Sequence, residues 1–171
     1  MIYEPAEDSE LLRKHIKDYA QGKVLDMGTG SGVLAEEASK YAKEVLACDI
    51  NDEAVQAAKA KGIKAVHSDL FSNIKETFDL ITFNPPYLPY EEMEDEDTRL
   101  MTTGGKIGSE ILEKFLSQAY KLLNPDGKIL IVFSSLTLNI DLILRKYNYQ
   151  FKQLDEKDVF FEKLYVYLVW R

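Results

Sequence analysis

Apolar residues recur along the chain with two alternating periods. Between residues 11 and 19, Leu11, Leu12, His15, Ile16 and Tyr19 share one face at helical spacing. Pro5, Glu7 and Asp8 suit the start of that helix, where carboxylates meet the positive end of the dipole. Val24 and Leu25 read as a short buried strand, followed by glycines and a predicted helix over 32–41. Val45-Leu46-Ala47-Cys48 is a second predicted strand, and Asn51 or Asp52 caps an Ala-rich helix that Gly62 stops. A third strand is predicted over 63–66 and a fourth over 78–83, apolar on both faces through Leu80, Ile81 and Phe83. The best helical stripe lies within 108–123, through Ile111, Leu112, Phe115, Leu116, Ala119, Tyr120 and Leu123. Asn124-Pro125-Asp126-Gly127 reads as a turn, 129–133 as a fifth strand and 139–147 as a helix. Two more strands are predicted over 149–154 and 163–170.

Strands apolar on both faces and joined by helices predict an α/β fold, a parallel sheet covered on two sides. Asp155-Glu156-Lys157-Asp158 is read as a short connection between the last two strands. So short a link permits only an antiparallel pair, so the final strand is expected to run against the others. No repeat or linker interrupts residues 1–171, which are read as a single domain.

Composition narrows the function. Lys and Arg number 21 and Asp and Glu 29, a net charge of −8 that argues against sequence-blind binding to nucleic acid. Cys48 is the only cysteine, so neither an intrachain disulfide nor a cysteine cluster for zinc is expected. No metal site is predicted. No apolar run approaches the roughly 18 residues of a membrane span, and the first residues lack the basic and apolar segments of a signal peptide. The expectation is a cytoplasmic enzyme or binding protein with no membrane attachment.

Asp26-Met27-Gly28-Thr29-Gly30-Ser31-Gly32 joins the first strand to a helix. Glycines at alternate positions let the backbone turn tightly and bring a ligand close to a helix N-terminus. A dinucleotide loop wants a third glycine where Val33 stands, so the pattern suits a ligand without a pyrophosphate. A glycine-rich turn with no ligand is the competing reading of the loop alone. Asp49 ends the second strand, 21 residues after Gly28, where nucleotide-binding folds grip a ribose diol. Asp69, followed by Leu70, comes just after the third strand, where a carboxylate can accept from an adenine amino group while Leu70 packs on the ring. Asp26, Asp49 and Asp69 thus fall at the carboxyl ends of successive strands, the ligand-binding edge of open parallel sheets. Together they favour a nucleoside-containing cofactor.

Asn84-Pro85-Pro86-Tyr87 follows the fourth strand directly. Two prolines fix φ and remove two backbone donors, leaving carbonyls free to accept. The Asn84 side-chain oxygen and the Pro85 carbonyl can accept from one NH2 group, and Tyr87 offers a flat face to a planar substrate. Methylation of a planar nitrogen needs this arrangement, because its lone pair is delocalised and must be oriented as positive charge grows. The competing reading is a proline-stiffened turn with an asparagine cap.

In this order, the Asp26–Gly32 loop, Asp49, Asp69-Leu70 and Asn84–Tyr87 resemble the class I S-adenosylmethionine-dependent methyltransferases over nearly the whole chain. The opening, Tyr3-Glu4-Pro5-Ala6-Glu7-Asp8-Ser9-Glu10-Leu11-Leu12, resembles the short HemK-type branch, and Gly104-Gly105-Lys106-Ile107-Gly108 resembles that family's glycine-rich segment before the long helix. The resemblance implies a Rossmann-like, seven-stranded, mostly parallel sheet with an antiparallel last strand and helices on both faces. It implies methylation of the glutamine amide (N5) in the Gly-Gly-Gln motif of a class I translation release factor. S-adenosyl-L-methionine would be the cofactor and S-adenosyl-L-homocysteine the product. On this family pattern Ser9 lies over the methionine end of the cofactor, while Asp26, Gly28 and Gly30 belong to the loop along its amino-acid part. Asp49 holds the ribose, and Asp69 with Leu70 the adenine. Asn84 and the Pro85 carbonyl hold the target amide, and Tyr87 shapes its slot. Members of the branch often work with a small zinc-binding activator subunit beside the third strand, where Ile63 and Val66 stand.

Other residues carry less. His15 reads as a packed core histidine, His67 as a capping or solvent-facing one, Cys48 as a small buried hydrophobe and Trp170 as strand packing. The run 91–97, six acids in seven residues, reads as a solvated loop, with a basic substrate surface as its functional alternative. The alternatives to glutamine methylation are N-methylation of an exocyclic amino group on an RNA or DNA base, and an inactive cofactor-binding scaffold.

Overall fold

The computed structural model describes residues 6–87, 105–106 and 108–171. The acidic run 91–97, Gly104, Ile107 and the first five residues lie outside them. The elements in chain order are α1 (Glu7–Tyr19), β1 (Lys23–Met27), α2 (Val33–Ala38), β2 (Glu44–Asp49), α3 (Asp52–Ala60), β3 (Lys64–His67) and β4 (Phe78–Phe83). After these come α4 (Glu110–Ala119) with a 3-10 turn (Tyr120–Leu122), β5 (Leu123–Ser134), α5 (Ile140–Lys146), β6 (Gln150–Val159) and β7 (Glu162–Trp170).

One seven-stranded sheet has the order β3-β2-β1-β4-β5-β7-β6. β7 runs antiparallel to both neighbours and every other pairing is parallel, as the sequence predicts. The chain order reverses between β1 and β4, so the carboxyl ends of these two strands flank the topological switch point. The alternation within each strand sends its apolar residues to both faces. On one face Leu11, Leu12 and Ile16 of α1 and Leu34 of α2 pack on Val24, Leu80, Leu130 and Val132. On the other, Leu112, Phe115 and Leu116 of α4 and Ile143 and Leu144 of α5 pack on Leu25, Ile81, Phe83, Ile129 and Ile131. α3 lies on β2 and β3 through Val55, Ala58, Ala47 and Ala65.

Five local expectations change. The helix after the glycine loop stops at Ala38, with turn-type bonds carrying the chain to Ala42. The long stripe divides into α4 and the 3-10 turn. The predicted turn at 124–127 lies inside β5 as an irregularity: Leu123 pairs with Phe78 and the next pair is Lys128 with Leu80. Asp126 adopts a left-handed φ of 65° there, and a Cβ on Gly127 would lie 2.8 Å from the Asn124 carbonyl oxygen, so only glycine fits. The acidic stretch read as the last connection is instead the second half of β6. β6 is an edge strand, and charged side chains on an edge face water and discourage pairing with other chains. The true link is the two-residue turn Phe160-Phe161. His15 also departs from a purely apolar setting: its Nε2 lies 3.0 Å from Asp155 Oδ2 on β6.

Candidate active site

The loop after β1 is held from below. Asp26 is fully buried, and its Oδ2 accepts from the Thr29 hydroxyl at 2.7 Å and the Ala35 amide at 3.1 Å. Its Oδ1 accepts from the Thr82 hydroxyl at 2.8 Å, across the parallel register that sets Asp26 beside Thr82. Both oxygens are therefore used in tying the loop, the start of α2 and β4 together. Burial pushes the Asp26 carboxyl up to about 6, against the opposing effect of the Thr29, Thr82 and Ala35 hydrogen bonds. Gly28 is exposed at the head of β1 with a φ of 63°, and a Cβ there would crowd the Phe83 ring at 3.2 Å.

Asp49, at the head of β2, accepts from the Gly30 amide at 2.9 Å and the Asn51 amide at 2.8 Å. It fixes the second glycine of the loop while remaining partly open to solvent. Helix capping at α3 falls to Asn51, whose side chain accepts from the Glu53 amide at 2.9 Å. Asp69 follows β3 and is exposed, with Lys114 Nζ of α4 3.1 Å from its Oδ2. Leu70 adopts a φ of 47°, its carbonyl takes the Ser68 hydroxyl at 2.6 Å, and its side chain joins the core. The heads of β4, β1, β2 and β3 thus carry Asn84, the glycine loop, Asp49 and Asp69 in spatial sequence.

The helix α1 comes to the same edge. Ser9 is buried and its hydroxyl accepts from Asn84 Nδ2 at 3.0 Å. That bond leaves Asn84 Oδ1 buried with no hydrogen-bond partner among the described residues. Asp8, also buried, accepts from the Tyr87 hydroxyl at 2.9 Å through Oδ2 and from the Ser9 amide through Oδ1. Thr137, after β5, donates to the Tyr87 carbonyl at 3.1 Å. Asn84 and Tyr87 are thus anchored from two sides, and Pro85 between them is buried.

Ser9, Asn84 and Tyr87 form one cluster at the carboxyl end of β4. Asp26, Gly28, Gly30 and Asp49 form a second around the adjacent glycine loop, and Asp69 with Leu70 stands furthest along the edge. Asp8, Thr29 and Thr82 complete these networks and were not singled out from the sequence. Thr82 had a signal, as a hydroxyl within the apolar stretch Leu80–Phe83 of β4. Asp8 had one too, but an acid in a first helical turn reads most simply as a partner for the dipole. Of the residues set aside, His67 lies 2.9 Å from the Ile50 carbonyl oxygen. Cys48 is buried with its thiol pushed up by burial, and Trp170 packs against the α1-side core.

A seven-stranded sheet with this order, a glycine loop after β1 and an Asn-Pro-Pro-Tyr corner after β4 define a Rossmann-like methyltransferase. The chain belongs to the methyltransferase small domain family, whose model matches residues 5–161. It is 39% identical to a Methanocaldococcus jannaschii protein provisionally named a protein N5-glutamine methyltransferase, over 99% of this chain and 92% of that one. It is 36% identical to the release factor glutamine methyltransferase of Borreliella burgdorferi over 64% of this chain, matching 43% of that protein's length. Among solved structures it resembles Mtq2 in the E. cuniculi Mtq2–Trm112 complex, described as methylating the translation termination factor eRF1. The TM-score is 0.80 with 25% identity, covering 98% of this chain and 97% of that one. Among the described residues no helix is long and apolar enough to cross a membrane.

Proposed function

We propose that this protein uses S-adenosyl-L-methionine to methylate the side-chain amide nitrogen (N5) of the glutamine in the Gly-Gly-Gln motif of a class I release factor. The observation that carries the reading is Asn84 Oδ1, a buried acceptor at the head of β4 without a partner among the described residues. A lone buried acceptor is costly, and a substrate NH2 is the kind of group that would satisfy it. The names of the two relatives and of the structural neighbour support the same substrate.

The residues present fit the cofactor. Neighbouring strands lie about 4.8 Å apart, so the heads of β4, β1, β2 and β3 offer an edge roughly 15 Å long. An extended molecule of amino acid, ribose and adenine matches the run of Ser9 and Asn84, the Asp26–Gly30 loop, Asp49, then Asp69 with Leu70. Gly28, exposed and lacking a Cβ, leaves the approach to β1 open. Asp49 is suited to the ribose hydroxyls, and Asp69 to the adenine amino group. Asp26 acts from beneath by holding the loop in shape. S-adenosyl-L-methionine supplies a methyl group activated by its positively charged sulfur, leaving S-adenosyl-L-homocysteine.

The chain's own contribution is positioning. Asn84 Oδ1 and the Pro85 carbonyl accept from the two N–H groups of the amide and orient its lone pair toward the methyl carbon. The same acceptors would stabilise the positive charge growing on the NH2 group as it takes the methyl group. The alkylated nitrogen is strongly acidic and gives its proton to water, so no strong base is required. Tyr87 walls the slot, and Asp8 holds the Tyr87 hydroxyl. With this reading go a single domain over residues 1–171, a cytoplasmic location and a small zinc-binding activator seated near β3.

Transfer of labelled methyl groups to purified release factor, RNA and DNA, with and without a candidate activator, tests the reading. Label in the release factor alone is expected; label in RNA or DNA alone would replace the substrate with a nucleobase.

A further inference from the structure

The β6–β7 hairpin ends in a turn whose chemistry contradicts its geometry. Val159 pairs with Glu162, leaving Phe160 and Phe161 as a two-residue loop. Phe160 has a φ of 44° and no positive φ occurs at Phe161, the pattern of a turn whose first central position ordinarily holds glycine. A phenylalanine occupies it instead. Both rings are 98% exposed, and Leu136 and Leu138, in the loop after β5, are 43% and 49% exposed. A bulky residue in a strained backbone position, with its ring in water, gains no burial among the described residues and is a pointer to binding.

The turn is placed for that purpose. Phe83, the last residue of β4, pairs with Ile131, and β5 and β7 continue together three residues further, to Ser134 and Leu164. At about 3.4 Å per residue the hairpin rises roughly 10 Å past Phe83, the residue before Asn84, with its tip beyond. The two are physically joined: the Ser135 amide donates to the Lys163 carbonyl at 2.7 Å, and Thr137 donates to the Tyr87 carbonyl. The arm is also braced from behind. Lys157 pairs with Glu7 of α1 at 3.0 Å and Asp155 with His15. A bulge at Leu154 turns that side chain into the α1-side core.

Charge indicates the partner. Residues 155–163 hold four acids against two lysines. Lys157 is committed to Glu7, while Lys163 lies near Glu156 and Asp158. The apolar tip therefore carries an acidic rim. We infer that Phe160 and Phe161, with Leu136 and Leu138, form a ridge that docks the substrate protein through an apolar socket bordered by lysine or arginine, beside the slot that takes its amide. This rests on the proposed protein substrate and adds the surface that recognises it outside the reacting loop.

The test compares wild type with F160G/F161S on two substrates, intact release factor and a short peptide containing Gly-Gly-Gln. Glycine at 160 suits the turn, so the fold is expected to survive, as thermal unfolding will report. Should the double variant unfold, F161S alone gives the same readout. The expected result is a rise in KM for the intact factor of roughly tenfold or more, with peptide kinetics unchanged and F160L/F161L near wild type. Unchanged KM for the intact factor overturns the inference, as does an equal loss on the peptide. Loss of a wild-type dimer in the variant at constant KM would assign the ridge to self-association and also overturn it. Inactivity of wild type on both substrates would defeat the substrate reading itself, and the docking surface with it.

Discussion

The Tyr87 hydroxyl donates to the buried Asp8 carboxylate at 2.9 Å, joining two residues 79 positions apart. Beside it, Asn84 donates to Ser9, so the first turn of α1 grips both polar ends of the Asn-Pro-Pro-Tyr corner. Each element alone is a short motif; the contact between them fixes where the Asn84 oxygen, unpartnered among the described residues, points.

Tyr87→Phe keeps the ring and removes the donor. A buried carboxylate deprived of a hydrogen bond costs about 1–3 kcal/mol. For a chain of this length the melting temperature should fall by several degrees, roughly 2–4 °C per kcal/mol. Turnover should fall with it while affinity for the methyl donor changes little. Thermal unfolding with steady-state assays checks this; wild-type values for both would show that the bond positions nothing.

Asn84→Ala removes the acceptor itself. Turnover is expected to drop on the order of 10²-fold or more, with donor affinity measured by calorimetry kept within about threefold. Turnover near wild type would remove Asn84 from the catalytic role.

Asp49→Ala should act in the opposite way. It strips the acceptor from the Gly30 and Asn51 amides and the proposed partner from the ribose. Donor affinity is expected to weaken by about tenfold or more, equivalent to at least ~1.4 kcal/mol. Unchanged affinity in the same calorimetric titration contradicts that role.

Asp26 gives a dependence of stability on pH. Its carboxyl ionises at about 6 in the fold, against an ordinary value of 3.8. The folded state therefore holds the proton more tightly, and the associated stability is complete below about pH 4 and lost as pH rises through 6. The change amounts to roughly 3 kcal/mol at 1.36 kcal/mol for each pKa unit. Asp26→Asn can keep the bonds, with its oxygen facing Thr29 and Ala35 and its NH2 facing Thr82. Denaturant titrations between pH 4 and 7.5 should show this component in wild type and not in the variant; identical pH profiles would contradict it.

How much was legible in the sequence follows from the range of the interactions. The glycine loop, the three acids at strand ends and the Asn-Pro-Pro-Tyr corner are local, and periodicity placed each on the correct edge of the sheet. Strand order within the sheet depends on which apolar faces meet, and the pairing of Asp26 with Thr82 exists only once β1 and β4 are adjacent. Asp8 and Tyr87 are linked by tertiary contact alone. The 155–158 stretch misled because Asp, Glu and Lys disfavour strands in general, whereas an edge strand accepts them on its solvent side. The Phe160-Phe161 turn carries no local signal, since aromatic residues favour strands and the first position of such a turn favours glycine.

The most direct measurement is tandem mass spectrometry of release factor incubated with S-adenosyl-L-methionine and either wild-type protein or its Asn84→Ala variant, with the activator present. The account predicts one added methyl group, located on the glutamine of Gly-Gly-Gln with wild type and missing with the variant. An unmodified glutamine after wild-type treatment, or equal modification by both proteins, would contradict it.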